Sequence, residues 1–206
     1  MKYVICIMSK VFKIGVLAST NGTALQAIID EILAGLMPGV ALEVVASNLP
    51  RCGAILRAER CGFNTVVVSS KDKFPEEFDL ELFSELRKFD LDLIVLVGYM
   101  RVLTPAFLNN FSGKVINVHP SLIPKYCGRS FYGASVHQAV LDSGDKVTGM
   151  TIHYVDEGVD TGEIIVQKKC KVLEDDTVES LKARVQELEK KWYPEVIRRL
   201  SREALR

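Results

Sequence analysis

The chain has 206 residues, of which 48% are hydrophobic, 25% charged and 8% aromatic. This length and composition suit one globular domain with a sizeable core and exclude an intrinsically disordered chain. Lys and Arg together number 26, as do Asp and Glu, so no overall basic field exists to attract nucleic acid or an anionic membrane.

The first residues, 1–12, read MKYVICIMSKVF and are mildly hydrophobic. They lack the long apolar stretch and small-residue cleavage site of a secretory signal. No apolar run in the chain approaches the ~20 residues that a membrane-spanning helix needs. We therefore expect a short extension ahead of the first strand, and a cytoplasmic protein.

The first half of the chain alternates apolar strands with amphipathic helices. The pattern predicts strands at 13–19, 42–47, 65–69 and 91–97, and helices at 24–36, 53–60 and 75–88. Strands that alternate with helices form parallel βαβ units, and unbroken apolar runs indicate that both faces of the sheet are covered.

The second half predicts a strand at 114–119, a helix at 134–142 and a pair of strands at 148–155 and 163–172. Asp176 and Glu179, three residues apart, resemble a capping box at the start of the last helix. There is no internal repeat or linker. The predicted fold is a single-domain α/β structure with a Rossmann-like sheet, mostly parallel with antiparallel strands toward the C-terminal half, and helices on both faces.

The turn after the first strand, residues 18–26, reads ASTNGTALQ. A small, glycine-containing turn that leads into a helix presents free backbone N–H groups, which suits phosphate binding. It is equally compatible with an ordinary tight turn in which Ser19 or Thr23 caps the helix. The run matches neither the dinucleotide fingerprint nor a P-loop, and Ser47 and Asn48 stand where a dinucleotide site has an acidic residue, which disfavours a dehydrogenase.

Asn117 and His119 lie two residues apart at the end of a predicted strand, so their side chains share one face. Open α/β sheets bind ligands at that end of their strands. An amide donor beside an imidazole suits a reaction in which a carbonyl oxygen gains negative charge. The alternative is that His119, next to Pro120, only stabilises a turn.

The segment 156–162, DEGVDTG, joins the two last strands, and most such clusters are solvated turns. The functional alternative is that one of its carboxylates lies beside His119, raises its pKa and keeps it protonated. For His153, in mid-strand, a core or sheet-face role is favoured over catalysis, whereas His137, in a predicted helix, is ambiguous. Five scattered cysteines without a CxxC pair and only three histidines predict reduced thiols and no metal site.

These motifs resemble those of the folate-dependent formyltransferases, over most of the chain from Lys13 to about Leu200. The signature is NVHPSLIP at 117–124, followed about forty residues later by DTG at 160–162. The resemblance implies a formyltransferase domain at 13–206 that uses 10-formyltetrahydrofolate as co-substrate and no metal. It implies a catalytic trio of Asn117, His119 and Asp160, with the histidine as proton donor and the aspartate raising its pKa.

The first turn is most similar to that of members acting on glycinamide ribonucleotide in purine biosynthesis. The resemblance implies ribonucleotide contacts by Gly22, Thr23, Ala24 and Glu189. The family commonly has Asn where this chain has Ala24, so more of the phosphate binding falls on backbone N–H groups and Thr23.

The segment GYMRVL at 98–103 resembles the folate-binding segment of the family. The implied folate contacts are Met100, Arg101, Val102 and Leu103, with Lys73 offering a cation near the place where the family has an arginine. The expected partners are these two small molecules alone, with no nucleic acid or membrane, and the expected state is a monomer or homodimer.

Three other functions are alternatives. A formyltransferase for initiator tRNA adds a C-terminal nucleic-acid-binding domain and usually a basic surface, and a formyltetrahydrofolate hydrolase adds a regulatory domain ahead of the trio; we expect neither addition here. A catalytically silent nucleotide-binding module would not need the Asn-His-Asp set.

Overall fold

A computed structural model of the protein describes residues 10–206, so most of the predicted extension at 1–12 lies outside the described residues. Within them the strands are β1 (Phe12–Ala18), β2 (Val40–Ser47), β3 (Thr65–Val67), β4 (Leu93–Val97), β5 (Lys114–His119), β6 (Val147–Tyr154) and β7 (Ile164–Lys171). The α-helices are α1 (Thr23–Leu33), α2 (Gly53–Arg60), α3 (Pro75–Leu86), α4 (Pro105–Leu108), α5 (Ala134–Asp142) and α6 (Val178–Ala204). In this part of the chain, no helix is both long and apolar enough to cross a membrane.

The strands form one seven-stranded sheet in the order β3-β2-β1-β4-β5-β6-β7. Strands β1 to β5 are parallel, whereas β6 pairs antiparallel with β5 and with β7. The predicted mixed sheet is therefore confirmed. The chain runs outward from β1 to β3, then returns to β4 on the other side of β1. This reversal of strand order opens a crevice at the carboxyl ends of β1 and β4.

Helices cover both faces of the sheet, as the apolar runs predicted. Alternate residues of β4 divide between two buried clusters. Leu93 and Val95 pack with residues of α1, α2 and α6. Ile94 and Leu96 pack on the other face with residues of α3 and α4. Because a strand buried on both sides has no solvated face, β4 lacks a polar alternation.

Two predicted helix termini were wrong. Helix α1 ends at Leu33 rather than at 36, because Gly35 adopts a positive φ of 71° and breaks the helix. The cap of α6 is Thr177, whose hydroxyl accepts the Ser180 N–H at 3.3 Å, while the Ser180 hydroxyl accepts the Thr177 N–H at 2.9 Å. The predicted cap, Asp176, instead forms an ion pair with Arg184.

Smaller differences concern short segments. Helix α4 was not predicted, since one turn carries no periodic signal. Strand β1 begins one residue earlier than predicted, β4 begins two residues later, and a 3₁₀ turn at Arg87–Phe89 follows α3.

Candidate active site

A cavity of about 920 Å³ opens at the carboxyl ends of β1, β4 and β5. Its walls include residues 20–23 after β1, residues 96–103 around the end of β4, and residues 117–120 at the end of β5. The turn after β6 and the amino-terminal half of α6 also contribute. The cavity lies where the strand order reverses, and its volume is that of a small-molecule site.

Four polar side chains meet on one wall of this cavity. His119 Nδ1 lies 3.3 Å from Asp160 Oδ2, and His153 Nε2 lies 3.6 Å from Asp160 Oδ1. Asn117 Nδ2 lies 3.3 Å from His153 Nε2. The structure therefore brings Asn117, His119 and Asp160 together and adds His153 to them.

His153 reaches the group because β5 and β6 are antiparallel and pair Asn117 with His153. Directly opposed residues of two paired strands point to the same face. His153 Nδ1 donates to the Tyr154 carbonyl at 2.8 Å, and its Nε2 faces both the Asn117 amide and the Asp160 carboxylate. The contact with His153 orients the Asn117 amide toward the cavity wall.

The turn at 156–162 has an exposed side, as predicted, but it also forms part of the cavity wall. Asp156 Oδ1 accepts the Gly158 N–H at 3.1 Å and the Thr161 hydroxyl at 2.6 Å. Asp160 adopts a positive φ of 59°, and its Oδ2 accepts the Gly128 N–H at 3.0 Å. Burial acts to raise the pKa of Asp160, but His153, His119 and the Gly128 N–H outweigh it and hold that pKa below its usual range. Asp160 is therefore a carboxylate at neutral pH.

Both ring nitrogens of His119 face protein acceptors. Nε2 lies 2.6 Å from the Tyr126 carbonyl oxygen, and Nδ1 faces Asp160. Tyr126 has a positive φ of 52°, and its hydroxyl is held by Ser143 at 2.6 Å and Asp145 at 2.9 Å. These contacts fix the plane of the His119 ring.

Asp160 acts to raise the pKa of His119, as predicted, but the expectation that this keeps His119 protonated was wrong. Burial lowers this pKa below its usual value, although Asp160 and the Tyr126 carbonyl act in the opposite direction. Burial removes the imidazolium from water, and the free-energy cost of this exceeds the stabilisation that the nearby carboxylate and carbonyl provide.

In the part of the chain that the structure describes, no side chain caps the start of α1. Gly22 is the N-cap residue, with a φ of 65°, so the alternative in which Ser19 or Thr23 caps the helix was wrong. Ser19 instead donates to Asn48 Oδ1 at 2.7 Å and accepts the Met100 N–H at 3.1 Å. Because no side chain caps the helix, N–H groups of its first turn remain for a ligand.

Packing holds this turn against α2. A Cβ on Gly22 would lie 2.8 Å from the Ala54 Cβ, and Arg57 Nε donates to the Asn21 carbonyl at 2.8 Å. Of the residues predicted to contact the ribonucleotide in this turn, Gly22 and Thr23 line the cavity. Ala24 does not line it and packs in the core.

The predicted folate segment lines the cavity with Met100, Arg101, Val102 and Leu103. Lys73 is not among the lining residues. Its ammonium group pairs with Glu81 of α3. The structure therefore does not bring Lys73 to the cavity together with the other four predicted residues.

Glu189, on α6, also lines the cavity, beside Lys182 and Gln186. Burial raises the pKa of Glu189 to about 7, although Lys182 and Lys190 oppose the shift. Near neutral pH this carboxyl group is therefore partly protonated, so that it can donate a hydrogen bond to a ligand as well as accept one. Among the described residues, no group of three or more His, Cys, Asp or Glu has a metal-binding arrangement.

Sequence reasoning missed part of the site. His153 was assigned to the sheet face, and only the strand register shows that it faces Asn117. His137, on α5, lines the cavity, and burial lowers its pKa to about 4. The contact of the Tyr126 carbonyl with His119 could not be predicted, because every residue has a backbone carbonyl and the residue type does not indicate its role.

Comparison with known proteins assigns the class. Residues 12–197 match the family described as formyl transferase, and the chain belongs to that family. Within it, the chain is similar to phosphoribosylglycinamide formyltransferases. It is 39% identical to that of Haemophilus influenzae, over 90% of this chain and 85% of the relative.

A solved glycinamide ribonucleotide transformylase from Symbiobacterium toebii matches with a TM-score of 0.87 and 36% identity, over 94% of this chain and 89% of that one. The trifunctional purine biosynthetic protein adenosine-3 of Chironomus tentans is 42% identical over 90% of this chain. This chain spans only 13% of that larger protein.

Proposed function

We propose that this protein transfers the formyl group of 10-formyltetrahydrofolate to the amine of 5′-phosphoribosylglycinamide, giving the N-formyl product and tetrahydrofolate, in purine biosynthesis. In this proposal residues 13–206 are the formyltransferase domain and residues 1–12 a short extension. The protein acts in the cytoplasm, as a monomer or homodimer, without a metal, nucleic-acid or membrane partner.

One observation carries the proposal. The cavity is bordered by the side chains of Asn117, His119 and Asp160, and also by the uncapped turn before α1 and the segment after β4. His119 contacts Asp160 directly at 3.3 Å. His153 links Asn117 to Asp160 by contacts of 3.3 and 3.6 Å. An uncapped helix start suits a phosphate, and the largely apolar segment suits a flat heterocycle. The names of the relatives identify the phosphoribosyl acceptor to test, and the family resemblance implies the folate donor.

The amine nitrogen attacks the formyl carbon, so that a new C–N bond forms and the carbonyl oxygen gains negative charge. The side-chain amide of Asn117 donates to this oxygen, and His119 in its protonated form adds positive charge beside it. Asp160, a carboxylate, accepts the proton that the amine loses. The intermediate then collapses by breaking the bond from carbon to N10 of the folate, the carbonyl re-forms, and N10 takes up the proton that Asp160 had accepted.

The contacts of His119 constrain its role. A lowered pKa makes the imidazolium a stronger acid, which favours proton transfer to the oxygen of the intermediate, but it also reduces the protonated fraction at neutral pH. Nε2 contacts the Tyr126 carbonyl, so donation from that atom requires exchange of this contact for one to the substrate oxygen.

The test is incubation of the purified protein with 10-formyltetrahydrofolate, with and without the ribonucleotide. We expect tetrahydrofolate and a formylated ribonucleotide to appear in equal amounts, and only when both substrates are present. Tetrahydrofolate formed without the ribonucleotide would indicate a hydrolase. Turnover only with aminoacylated initiator tRNA would indicate the tRNA enzyme, and no turnover with any acceptor would contradict a transferase.

A further inference from the structure

The cavity-lining segment after β4 has two faces. Met100 and Val102 are 48% and 52% exposed, whereas Leu103 is 3% exposed. Tyr99 and Leu103 pack in the same apolar cluster as Phe78 of α3. The exposed Met100 and Val102 therefore alternate with the residues that pack on α3, so this packing determines where Met100 and Val102 stand.

A buried carboxylate of α3 holds this segment. Asp79 is 1% exposed, and its Oδ2 accepts the Thr104 N–H at 2.6 Å. The Arg101 guanidinium lies 4.3 Å from the centre of the adjacent Phe78 ring. Asp79 does not line the cavity, so its influence on a ligand passes through residues 99–104.

The contacts around Asp79 are incompletely satisfied. Four buried polar atoms of Asp79 and this segment lack a hydrogen-bond partner among residues 10–206, and they are Asp79 Oδ1, Tyr99 Oη, Arg101 Nε and Thr104 Oγ1. Buried polar atoms in folded proteins are nearly always paired, so an unpaired group calls for a specific reason. An apolar residue in place of Asp79 would avoid burying a carboxylate. It would also leave the Thr104 N–H without its acceptor and Arg101 without a nearby negative charge.

The charges that face Asp79 are few. Arg101 attracts it from the segment, and Glu76 repels it from the preceding turn of α3. Burial is the largest influence on Asp79 and raises its pKa, against the backbone N–H and side chain of Thr104 and the charge of Arg101. The buried carboxylate therefore loses solvation. In exchange it gains the hydrogen bond from the Thr104 N–H and the attraction of Arg101, and both residues belong to the same segment.

We propose that Asp79 is a positioning residue for the folate: its hydrogen bond to the Thr104 N–H and its attraction for the Arg101 guanidinium hold the segment so that Met100 and Val102 stand at the cavity surface in the arrangement that the folate ring contacts. The inference rests on the proposed function. We expect the larger effect on the folate, because α2 holds the turn that faces the ribonucleotide through Arg57, and that turn meets the folate segment at the Ser19 hydroxyl, which accepts the Met100 N–H.

The experiment compares Asp79→Ala and Asp79→Asn with the unchanged protein, measuring kcat and a separate KM for each substrate. For Asp79→Ala we expect the KM for the formyl folate to rise about tenfold, with kcat and the ribonucleotide KM changed less than about twofold. Asp79→Asn retains an oxygen for the Thr104 N–H and should recover part of the loss. Calorimetric titration with tetrahydrofolate should show the same order of affinities.

Asp92→Ala is the matched control. Asp92 Oδ2 accepts the Lys13 N–H at 2.8 Å, so its loss removes the same kind of bond at the opposite end of β1 and β4. A similar rise in the folate KM in this control would show general destabilisation and overturn the proposal. Equal rises in both KM values for Asp79→Ala would do the same.

Two further outcomes keep the proposals apart. If Asp79→Ala does not fold, Asp79→Asn decides, and an unchanged folate KM in that variant contradicts a positioning role. If the unchanged protein shows no turnover, the proposed function fails. The tetrahydrofolate titration then still tests Asp79, and equal affinity in all variants overturns its role.

Discussion

The imidazole of His119 and the carboxylate of Asp160 lie 3.3 Å apart, with side chains only 5% and 10% exposed. Strand β5 ends at His119, and the antiparallel β6 leads the chain back to the turn that carries Asp160. Because the pair is nearly sealed from water, each charge acts on the other with little screening. The charge state of His119 therefore depends on Asp160 as well as on burial.

Replacing His119 by alanine should abolish most of the proposed activity while the protein stays folded. Loss of one group that stabilises the oxyanion typically costs about 3 kcal/mol of barrier, so we expect kcat to fall at least about a hundredfold. Single-turnover formyl transfer measures the loss, and circular dichroism checks the fold. Turnover near that of the unchanged protein would remove His119 from the mechanism.

Asp160→Asn should shift the pH dependence of formyl transfer as well as its rate. Asp160 raises the pKa of His119 against burial, so its neutralisation lowers that pKa further. The activity of a protonated His119 is lost as pH rises through its pKa, and this loss should occur at lower pH in the variant. The control is Glu157→Gln, an exposed carboxylate of the same turn. A variant profile that overlays the original would contradict the coupling.

Glu189→Gln should stabilise the protein at pH 8 but not at pH 5. Burial raises the pKa of Glu189 to about 7, so the folded state binds this proton more tightly than the unfolded state. Stability is therefore lost as pH rises from about 4.5 to 7, by at most about 3 kcal/mol. Glutamine does not titrate and avoids this loss. Urea unfolding at both pH values measures it.

The matched control for Glu189 is Glu187→Gln on the same helix, since Glu187 is 70% exposed and pairs only with Lys190 among the described residues. It should change stability little at either pH. If Glu189→Gln alters the free energy of unfolding equally at pH 5 and pH 8, the carboxyl group does not titrate as stated.

Tyr193→Phe should lower the free energy of unfolding by about 1–2 kcal/mol. Tyr193, on α6, is fully buried, and its hydroxyl donates to the Leu96 carbonyl of β4 at 2.6 Å. Phenylalanine keeps the packing but leaves that carbonyl without this partner. Urea unfolding is again the measurement, with Tyr132→Phe, 61% exposed, as the control. Equal stability of the two variants would show that the hydrogen bond contributes nothing.

The order of the elements could be read from the chain because burial leaves a pattern in residue type. The unbroken apolar run of β4 indicated helices on both faces, and the spacing of Asn117 and His119 put them on one face of β5. Helix ends were less predictable. The predicted cap of α6, Asp176, lies one residue before the observed cap, Thr177. Asp176 does not cap the helix because its carboxylate pairs with Arg184, a contact that forms only in the folded chain.

By itself, then, the sequence determined the sheet, the site's strand and the family resemblance, because each depends on local periodicity or on a contiguous motif. Tertiary structure alone decided that Asp160 and His153 meet His119 and Asn117, that Lys73 pairs with Glu81 away from the cavity, and that the pKa of His119 is lowered. Contact between residues far apart in the chain depends on strand register. A pKa depends on how much water remains around the group, which no local pattern records.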